Sequence, residues 1–287
     1  MAGCLLRAGA LGLAALGALA STPSRAQVPP NAPSLVPPGL FRVCAGPADM
    51  PFSDRKGQGF ENRIAALVAR AMHRKLRYVW YPESPGFVRQ TLMKYLCDVV
   101  PGVFQSSNAT QNTDPYYHSA YLLIARDGEK IPGDLLSNPA FRGKRFGVVG
   151  GTPPATLVAK YGLATKVLGY ALFADTRFFK PARQILFDLA KGKIDFALDW
   201  GPIAGYYIAK DHLPLHWVLL RDNPAAGEPR LDFYVSMGVR PSEPRWAYDL
   251  SQVIDAHRTE ITRILQSYHV PLLDAQGNLL PPAKQGK

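Results

Sequence analysis

From Leu40 onward the chain alternates short apolar strands with amphipathic helices, and this alternation restricts the fold to the α/β class. The stretch "LFRVCA" predicts a first strand, and in "FENRIAALVARAMH" the apolar residues recur at helical spacing. A second strand at 76–81, a helix in "GFVRQTLMKYL" and a third strand in "CDVVPGVF" complete a βαβαβ unit. Such units form parallel sheets through right-handed crossovers. In their usual strand order, the first strand lies beside the third.

The same pattern starts again at "GKRFGVVGG" and runs to "IDFALDW", which predicts a second, smaller α/β unit. A strand in "DFYVSMGVR" and a long amphipathic stretch from Pro244 to Tyr268 are expected to return to the first unit. Two α/β lobes, with lobe 2 inserted in lobe 1 and two hinge strands, create a cleft that closes by hinge motion. The expected boundaries are a signal peptide at 1–26, a proline-rich leader at 27–39, lobe 1 at 40–125 and 235–280, lobe 2 at 126–234, and a loose tail at 281–287.

The N-terminus has the pattern of a secretory signal peptide. Arg7 precedes an apolar run from Ala8 to Ala20, and small residues offer cleavage after Ala20 or Ala26. The run is shorter than the roughly 18 residues that span a bilayer, and no second candidate follows. Cys4 lies before the run, which argues against a lipoprotein. We therefore expect a periplasmic protein that does not span the membrane.

Cleavage leaves two cysteines, Cys44 and Cys97. An even number in an oxidising compartment favours a disulfide, and two buried free thiols are the alternative. The predicted order of the first and third strands places the two cysteines on neighbouring strands, within bridging distance. Nothing nearby resembles a Cys-x-x-Cys redox pair, so we expect a structural bridge.

The chain carries a formal net charge of +11. Export argues against nucleic acid as a partner, and no stretch alternates basic residues with aromatic ones in the manner of a base-stacking groove. An anionic surface or an acidic protein in the same compartment is a better candidate. The alternative is that the charge reflects only the ordinary basic character of many exported proteins.

From Leu40 to Tyr268 the order of elements, with "FRGKRFGVVGGTPP" and "GKIDFALDW", resembles the periplasmic solute-binding proteins of family 3. Five short motifs resemble its quinoprotein-dehydrogenase-associated branch, the J-type accessory proteins (MxaJ/XoxJ-like) of methanol oxidation. They are "RVCAGPADMPFSDRKGQGFENRIA", "GFVRQTL", "CDVVPGV", "DPYYHSAY" and "YHVPLL". The resemblance implies a type II periplasmic binding protein fold and a PQQ-dependent methanol or alcohol dehydrogenase as protein partner.

The resemblance also identifies a departure in the cleft. Amino-acid binders of this family carry, after the third strand, an arginine that clamps the ligand's carboxylate with two hydrogen bonds. The corresponding loop here, from Gln105 to Asp114, contains no cation. An unpartnered buried carboxylate costs several kcal/mol, so a standard amino-acid ligand is not expected. The resemblance implies that Asp199 occupies the position of the acid that meets a ligand's ammonium group.

Other residues are candidates for the ligand or partner cleft. The helix start at Gly151 and Thr152 is a generic anion site. Arg89 either replaces the missing clamp or is a solvated surface arginine. The remaining candidates are one acid and a set of aromatic residues, which line the cleft or serve ordinary packing: Asp49, Phe52, Phe87, Tyr116, Tyr117 and Trp200.

Motifs of catalysis and of metal binding are missing from the sequence. It has no Gly-x-Ser-x-Gly, and Pro214 separates His212 from His216, so the two cannot share one helical face. The carboxylates do not cluster as in a calcium loop, and "GVVGGTPP" lacks the lysine of a phosphate-binding loop. We expect no enzyme activity, no metal site and no cofactor.

Two functions remain open at this stage. The favoured one is a monomeric periplasmic accessory protein that acts in the assembly or activation of a PQQ-dependent methanol or alcohol dehydrogenase. The alternative is a receptor that delivers a small non-standard solute to an ABC transporter. The sequence does not specify which dehydrogenase or metal is served, or whether the cleft holds a small molecule or a polypeptide.

Overall fold

The computed structural model describes residues 35–172 and 180–281, which belong to one compact unit. The expected signal peptide, most of the leader and nearly all of the tail lie outside the described residues. Five residues of the expected leader are described, and they are anchored. The Leu35 amide donates a hydrogen bond to Glu243 Oε1 at 2.8 Å, and Val36 is buried. The folded part therefore begins a few residues before Leu40.

The first half of the chain supplies lobe 1 and one long strand. Its elements are β1 (Leu40–Ala45), β2 (Ala48–Asp49), β3 (Ser53–Asp54), α1 (Phe60–Ala71), β4 (Lys75–Trp80), α2 (Phe87–Gln90), β5 (Val100–Phe104), β6 (Gln111–Asn112) and β7 (Tyr117–Arg126). Lobe 2 and the return to lobe 1 follow. Their elements are β8 (Phe146–Val149), α3 (Pro153–Lys160), β9 (Val167–Tyr170), α4 (Pro181–Ala190), β10 (Phe196–Trp200), α5 (Gly201–Lys210), β11 (Leu215–Leu219), β12 (Asp232–Val239), α6 (Pro244–Ala256) and α7 (Arg258–Ser267).

The strand pairing confirms the predicted topology. β1 pairs with β4 in parallel, and a parallel bridge between Val43 and Val99 places β1 beside the start of β5. In lobe 2, β10, β8 and β9 form a parallel sheet. β7 joins the two halves, because its residues 117–120 pair with β12 and its residues from 121 onward pair with β10 and β11. The change of partner falls inside β7, about five residues before the expected lobe boundary at 125.

Two predicted helices are broken in the structure. The helix predicted in "GFVRQTLMKYL" is only α2 followed by a 3₁₀ turn at 92–94, and Thr91 Oγ1 donates to the Phe87 carbonyl at 2.7 Å. The predicted stretch from Pro244 to Tyr268 divides into α6 and α7 at His257, whose Nδ1 lies 3.0 Å from the Val253 carbonyl. In both places a polar side chain forms a hydrogen bond to a backbone carbonyl of the preceding turn and so competes with the regular backbone hydrogen bonds of the helix. The sequence analysis also missed α5 and β11.

The predicted disulfide is confirmed and lies next to a buried ionic centre. Cys44 and Cys97 are bonded, with 5.6 Å between their Cα atoms and 53 residues of separation. Closing a loop of that length stabilises the fold by about 4 kcal/mol. Asp98, which is fully buried, accepts hydrogen bonds from Arg42 Nε and Nη2 and from Arg240 Nη2, each at 2.7 Å. This centre connects β1, the start of β5 and the end of β12.

The residues after α7 form a third connection between the lobes, which we call the C-terminal strap (268–273). Ser119 Oγ donates to the Pro271 carbonyl at 2.6 Å, and the Leu273 amide donates to the His118 carbonyl at 2.9 Å. Gly205 of α5 lies so close to the His269 carbonyl that a side-chain carbon would not fit between them. Leu273 packs into the core of lobe 2. The strap therefore holds α5 against the hinge.

Candidate functional site

A cavity of about 290 Å³ lies where the β2–β3 hairpin of lobe 1 faces α4, α5 and β10 of lobe 2. Two hydrogen bonds cross this interface. Tyr207 Oη donates to the Met50 carbonyl at 3.0 Å, and Lys180 Nζ donates to the Ala48 carbonyl at 3.2 Å. The residues that bound the cavity include Asp49, Phe52, Phe104, Tyr121, Thr152, Lys180, Arg183, Asp199, Trp200 and Tyr207. The chain itself thus brings the two lobes into contact at the cleft.

A second and more open cavity, of about 720 Å³, continues along the lobe 1 side of the cleft. It shares four residues with the first cavity, namely Asp49, Phe52, Phe104 and Trp200. Its other walls include Glu61, Glu83, Phe87, Arg89, Gly102 and Tyr117. The shared residues make the two cavities parts of one groove, which is walled by aromatic side chains.

Asp199 lies at the end of β10 with its carboxyl group in the first cavity, and only 2% of its surface is exposed. The Trp200 amide donates to its Oδ1 at 2.8 Å, whereas its Oδ2 has no hydrogen-bond partner among the described residues. Burial raises the pKa of Asp199 well above the usual range of a carboxyl group, and the Trp200 amide lowers it only in part. This group is therefore suited to donate as a neutral acid or to pair with a cationic group that enters the cavity.

Two further carboxyl groups make the groove acidic although the protein as a whole is basic. Burial raises the pKa of Asp49 to about 6, and the charge of Lys180 opposes that rise. Glu61 is 6% exposed, and burial together with the charges of Asp49 and Glu83 raises its pKa well above the usual range. Sequence reasoning missed Glu61, because a charged residue in the first turn of an amphipathic helix has the pattern of a solvent-exposed position.

The cations at the first cavity differ in how far they are neutralised. Arg183 donates from Nε and Nη2 to the two carboxylate oxygens of Asp211 at 2.9 and 3.0 Å, which raises its pKa. Among the described residues, the Ala48 carbonyl is the one hydrogen-bond acceptor of Lys180, and burial lowers the pKa of Lys180. Neither supplies the free guanidinium fork that a ligand carboxylate requires.

The predicted anion site at the start of α3 offers few donors. Its first two helical residues are Pro153 and Pro154, which lack an amide hydrogen, and Thr152 Oγ1 already donates to the Val149 carbonyl at 2.6 Å. Thr152 lines the first cavity, whereas Gly151 is exposed and lines neither cavity. An anion-binding role for this pair stays a prediction that the local hydrogen bonding weakens.

Phe104, the last residue of β5 before the uncharged loop, contributes an aromatic side chain to both cavities. Phe104 stacks on Phe233 with ring centroids 4.7 Å apart and meets Trp200 edge-on at 5.5 Å. Behind it the loop is held by its own side chains, because Asn112 Nδ2 donates to the carbonyls of Gln105 and Ser107. The aromatic wall here therefore comes from the end of β5, and of the loop itself only Ala109 lines either cavity.

The other predicted cleft residues divide into two groups. Phe52, Phe87, Tyr117 and Trp200 line the groove, and Arg89 lies exposed at the rim of the second cavity without an ion pair among the described residues. Tyr116 lines neither cavity. It is buried, its hydroxyl accepts from the Gly102 amide at 2.9 Å, and it donates to Glu61 Oε1 at 3.3 Å. Tyr116 thus orients Glu61 from behind the wall.

A search of residues 35–172 and 180–281 finds no group of three or more His, Cys, Asp or Glu side chains arranged to hold a metal ion. In the same residues, no helix combines the length and the apolar character that crossing a bilayer requires. What the groove offers to a ligand is aromatic surface, buried carboxyl groups and the ammonium group of Lys180.

Comparison with known proteins agrees with this geometry. No family model matches the chain. The crystal structure of the periplasmic binding protein XoxJ from Methylobacterium extorquens AM1 is 38% identical, covers 82% of this chain and all of its own, and superposes with a TM-score of 0.69. The crystal structure of MxaJ from Methlophaga aminisulfidivorans MPT is 26% identical with the same coverage and a TM-score of 0.71.

A third relative, Protein MoxJ of Methylorubrum extorquens, is 29% identical over 248 residues, which is 82% of each chain. The two crystal structures share one fold with this chain, and all three relatives cover 82% of it. The chain therefore belongs to the family of the XoxJ, MxaJ and MoxJ proteins and has their two-lobed periplasmic binding protein fold.

Proposed function

We propose that this protein is a periplasmic accessory protein that binds a polypeptide segment of a PQQ-dependent methanol or alcohol dehydrogenase and assists its assembly or activation. The observation that carries the proposal is the groove between the two lobes, in whose first cavity no described residue supplies a free guanidinium group for a ligand carboxylate. Membership of the XoxJ, MxaJ and MoxJ family supports the choice of partner, because the J-type resemblance implies an association with such dehydrogenases.

The chemistry of the groove favours a segment with apolar and cationic or amide side chains. Phe52, Phe104 and Trp200 border both cavities and offer continuous aromatic surface to such a chain. Among the described residues, neither the buried Asp199 nor the buried Glu61 has a cationic partner, so a lysine or arginine side chain that enters the groove favours their ionised forms. A segment rich in carboxylates gains nothing there.

The proposed location is the periplasm, reached through a signal peptide that is removed after Ala20 or Ala26. The described residues contain no membrane-spanning helix, and the Cys44–Cys97 disulfide suits an oxidising compartment. N-terminal sequencing of the protein from periplasmic extract tests the cleavage site. A full-length chain that keeps Met1 in that fraction contradicts the proposed cleavage.

The function is tested in cells that lack this protein. We expect a reduced fraction of cofactor-loaded dehydrogenase, measured by PQQ absorbance per dehydrogenase subunit, and recovery when the wild-type chain is restored. A chain with Phe52→Ala restores less, because Phe52 borders both cavities, whereas Tyr248→Ala, an exposed aromatic on α6, restores as well as wild type. A normal loaded fraction in the deletion strain contradicts the accessory function.

A second function is favoured by one observation, the unpartnered Oδ2 of Asp199 in the smaller cavity. A transport receptor needs such a group to hold the amine of a small solute. Screening small amines by thermal shift distinguishes the two functions, since a bound solute raises the melting temperature by mass action. A receptor shows a shift that Asp199→Ala abolishes. An accessory protein shows little shift with any solute of the panel.

A further inference from the structure

The charge of this protein is concentrated on one segment. Residues 55–81 contain seven Lys and Arg residues, and their single acidic residue is Glu61, which is buried in the groove. Arg63 lies on the exposed face of α1 and forms no ion pair among the described residues. An unpaired cation on a protein surface is free to interact with a partner of opposite charge.

Arg63 is the first of four residues, two cations with two aromatic rings between them, that form a line from lobe 1 to lobe 2. Its guanidinium lies 5.3 Å from the ring of Tyr268, which stacks on Tyr206 at 5.8 Å with 23° between the planes. The ammonium group of Lys210 lies 5.1 Å from the Tyr206 ring. We call these four residues, Arg63, Tyr268, Tyr206 and Lys210, the rim ladder.

The surroundings of the rim ladder carry further cations and an acid, Asp54; burial and, to a smaller extent, the charge of Asp54 raise the pKa of Tyr268. The hydroxyl of Tyr268 donates to the Gln58 carbonyl, so the turn that carries the exposed Arg55 and Lys56 lies beside the ladder. At the other end, burial and the charges of Lys210 and Arg183 lower the pKa of Lys180, whereas the charges of Asp49 and Asp54 raise it. Arg183 is paired with Asp211, whereas Lys210 has no carboxylate partner among the described residues.

We propose that the rim ladder is the docking surface for an acidic segment of the protein partner. This inference rests on the proposed function and adds where, and by which charges, the partner is recognised. The three distances along the ladder place Arg63 and Lys210 at most about five extended residues apart. Two carboxylates spaced along one chain reach both cations, whereas a single phosphate group reaches one. The Tyr rings between them supply the rigid aromatic area that interfaces favour.

Docking at this surface is coupled to the closure of the cleft. Arg63 lies on α1 of lobe 1, Tyr268 begins the C-terminal strap, and Tyr206 and Lys210 lie on α5 of lobe 2, so the ladder spans both lobes in the arrangement described here. The cross-cleft hydrogen bonds of Tyr207 and Lys180 accompany that arrangement. A segment bound to both ends of the ladder therefore stabilises the closed state through its differential affinity.

Two charge-reversal variants test the inference. Arg63→Glu with Lys210→Glu reverses both ends of the ladder, and Arg142→Glu with Lys166→Glu makes the same change in net charge at exposed positions elsewhere in lobe 2. A fluorescein-labelled hexaglutamate peptide is the probe, titrated at several salt concentrations and read by anisotropy. We expect the ladder variant to lose about tenfold in affinity, a loss of about 1.4 kcal/mol, and the control variant much less. An equal loss in both variants overturns the inference.

Pull-down from periplasmic extract separates the inference from the proposed function. If wild type and the control capture the dehydrogenase subunit and the ladder variant does not, both proposals are supported. If all three capture it, the ladder is not the docking surface, while the proposed function stands. If wild type captures no dehydrogenase, the proposed function fails, and the peptide titration still decides whether the ladder binds acidic segments. Flotation with phosphatidylglycerol vesicles tests a membrane surface as the alternative partner. If wild type and the control variant bind the vesicles and the ladder variant does not, the ladder docks on a membrane and the inference of a protein segment is wrong.

Discussion

Asp98 and Asp199 are equally inaccessible to solvent, yet their surroundings are opposite. Asp98 accepts three hydrogen bonds from two guanidinium groups, beside the disulfide of lobe 1. Asp199 accepts one hydrogen bond from a neighbouring backbone amide and keeps one oxygen without a partner. A buried charge that maintains a fold is fully compensated, because an uncompensated one costs several kcal/mol. The uncompensated carboxyl group of Asp199, beside a cavity, is consistent with the binding role proposed for it.

The largest expected effect comes from neutralising the compensated member of this pair. Asp98→Asn removes the counter-charge of Arg42 and leaves the buried Arg240 with only Glu243 Oε1, 3.8 Å away, as a carboxylate partner among the described residues, and we expect a loss of about 3–5 kcal/mol in the free energy of unfolding. Asp199→Asn is the matched control, at the same burial, and should lose nothing. Urea unfolding of both variants measures the difference, and equal losses contradict the comparison.

A second prediction uses the pH dependence of stability. The pKa of Asp49 is raised to about 6, so the folded protein holds this proton more tightly than the unfolded chain, whose value is about 4. The contribution of Asp49 to stability falls as the pH rises from about 4 to about 6 and is constant above that. Asp49→Asn lacks this fall, so the unfolding free energy of the variant relative to wild type should rise by about 2–3 kcal/mol across the window.

Asp195→Asn provides the control of opposite sign. Arg145 lowers the pKa of Asp195, so its contribution to stability is present above the unfolded value and disappears as the pH falls through the lowered value. This variant should therefore be less stable than wild type at pH 7, and the deficit should shrink in acid. Measuring the unfolding free energy between pH 3 and 7 checks both trends. If the two variants change in the same direction relative to wild type, the opposite pKa shifts of Asp49 and Asp195 are contradicted.

A third prediction concerns the contact between α5 and the C-terminal strap. Gly205→Ala places a methyl group against the His269 carbonyl and forces the helix and the strap apart, at a cost of about 1–3 kcal/mol. Gly169→Ala, in β9, meets no heavy atom within 4 Å and should change stability little. Comparing the melting temperatures of the two variants measures this contact. A Gly205→Ala variant as stable as Gly169→Ala shows that the strap does not restrain α5.

The smallest expected effect lies at an exposed ion pair. Arg245 Nε and Asp249 Oδ1 are 2.9 Å apart in one turn of α6, but both side chains remain accessible to water. Asp249→Asn should therefore cost about 0.3–0.5 kcal/mol, an effect that salt screens. Because Asp98→Asn is the same chemical change at a buried site, the difference between the two losses in unfolding free energy measures the effect of burial. A loss of several kcal/mol for Asp249→Asn contradicts the expectation that an exposed ion pair contributes little to stability.

Most of the architecture could be predicted from local patterns. The strands β1, β4, β8 and β10 lie within a residue or a few of their predicted positions, because apolar periodicity is set by neighbours in the chain. The disulfide could be predicted from two cysteines and a strand order. The sequence analysis missed elements whose structure depends on contacts between residues far apart in the chain. In α5, for example, two glycines that weaken a helical pattern allow close packing on Ala120 and His269.

The candidate site divides in the same way. The sequence by itself identified a binding-protein fold, an absent arginine clamp, Asp199 and several aromatic residues of the groove. Only the tertiary structure placed Glu61 in the groove, moved Tyr116 behind its wall and aligned Arg63 with Lys210 across two lobes. The physical reason is the distance along the chain between the residues that interact. Periodicity and capping are properties of adjacent residues, whereas burial, compensation of charge and alignment depend on residues that are far apart until the chain folds.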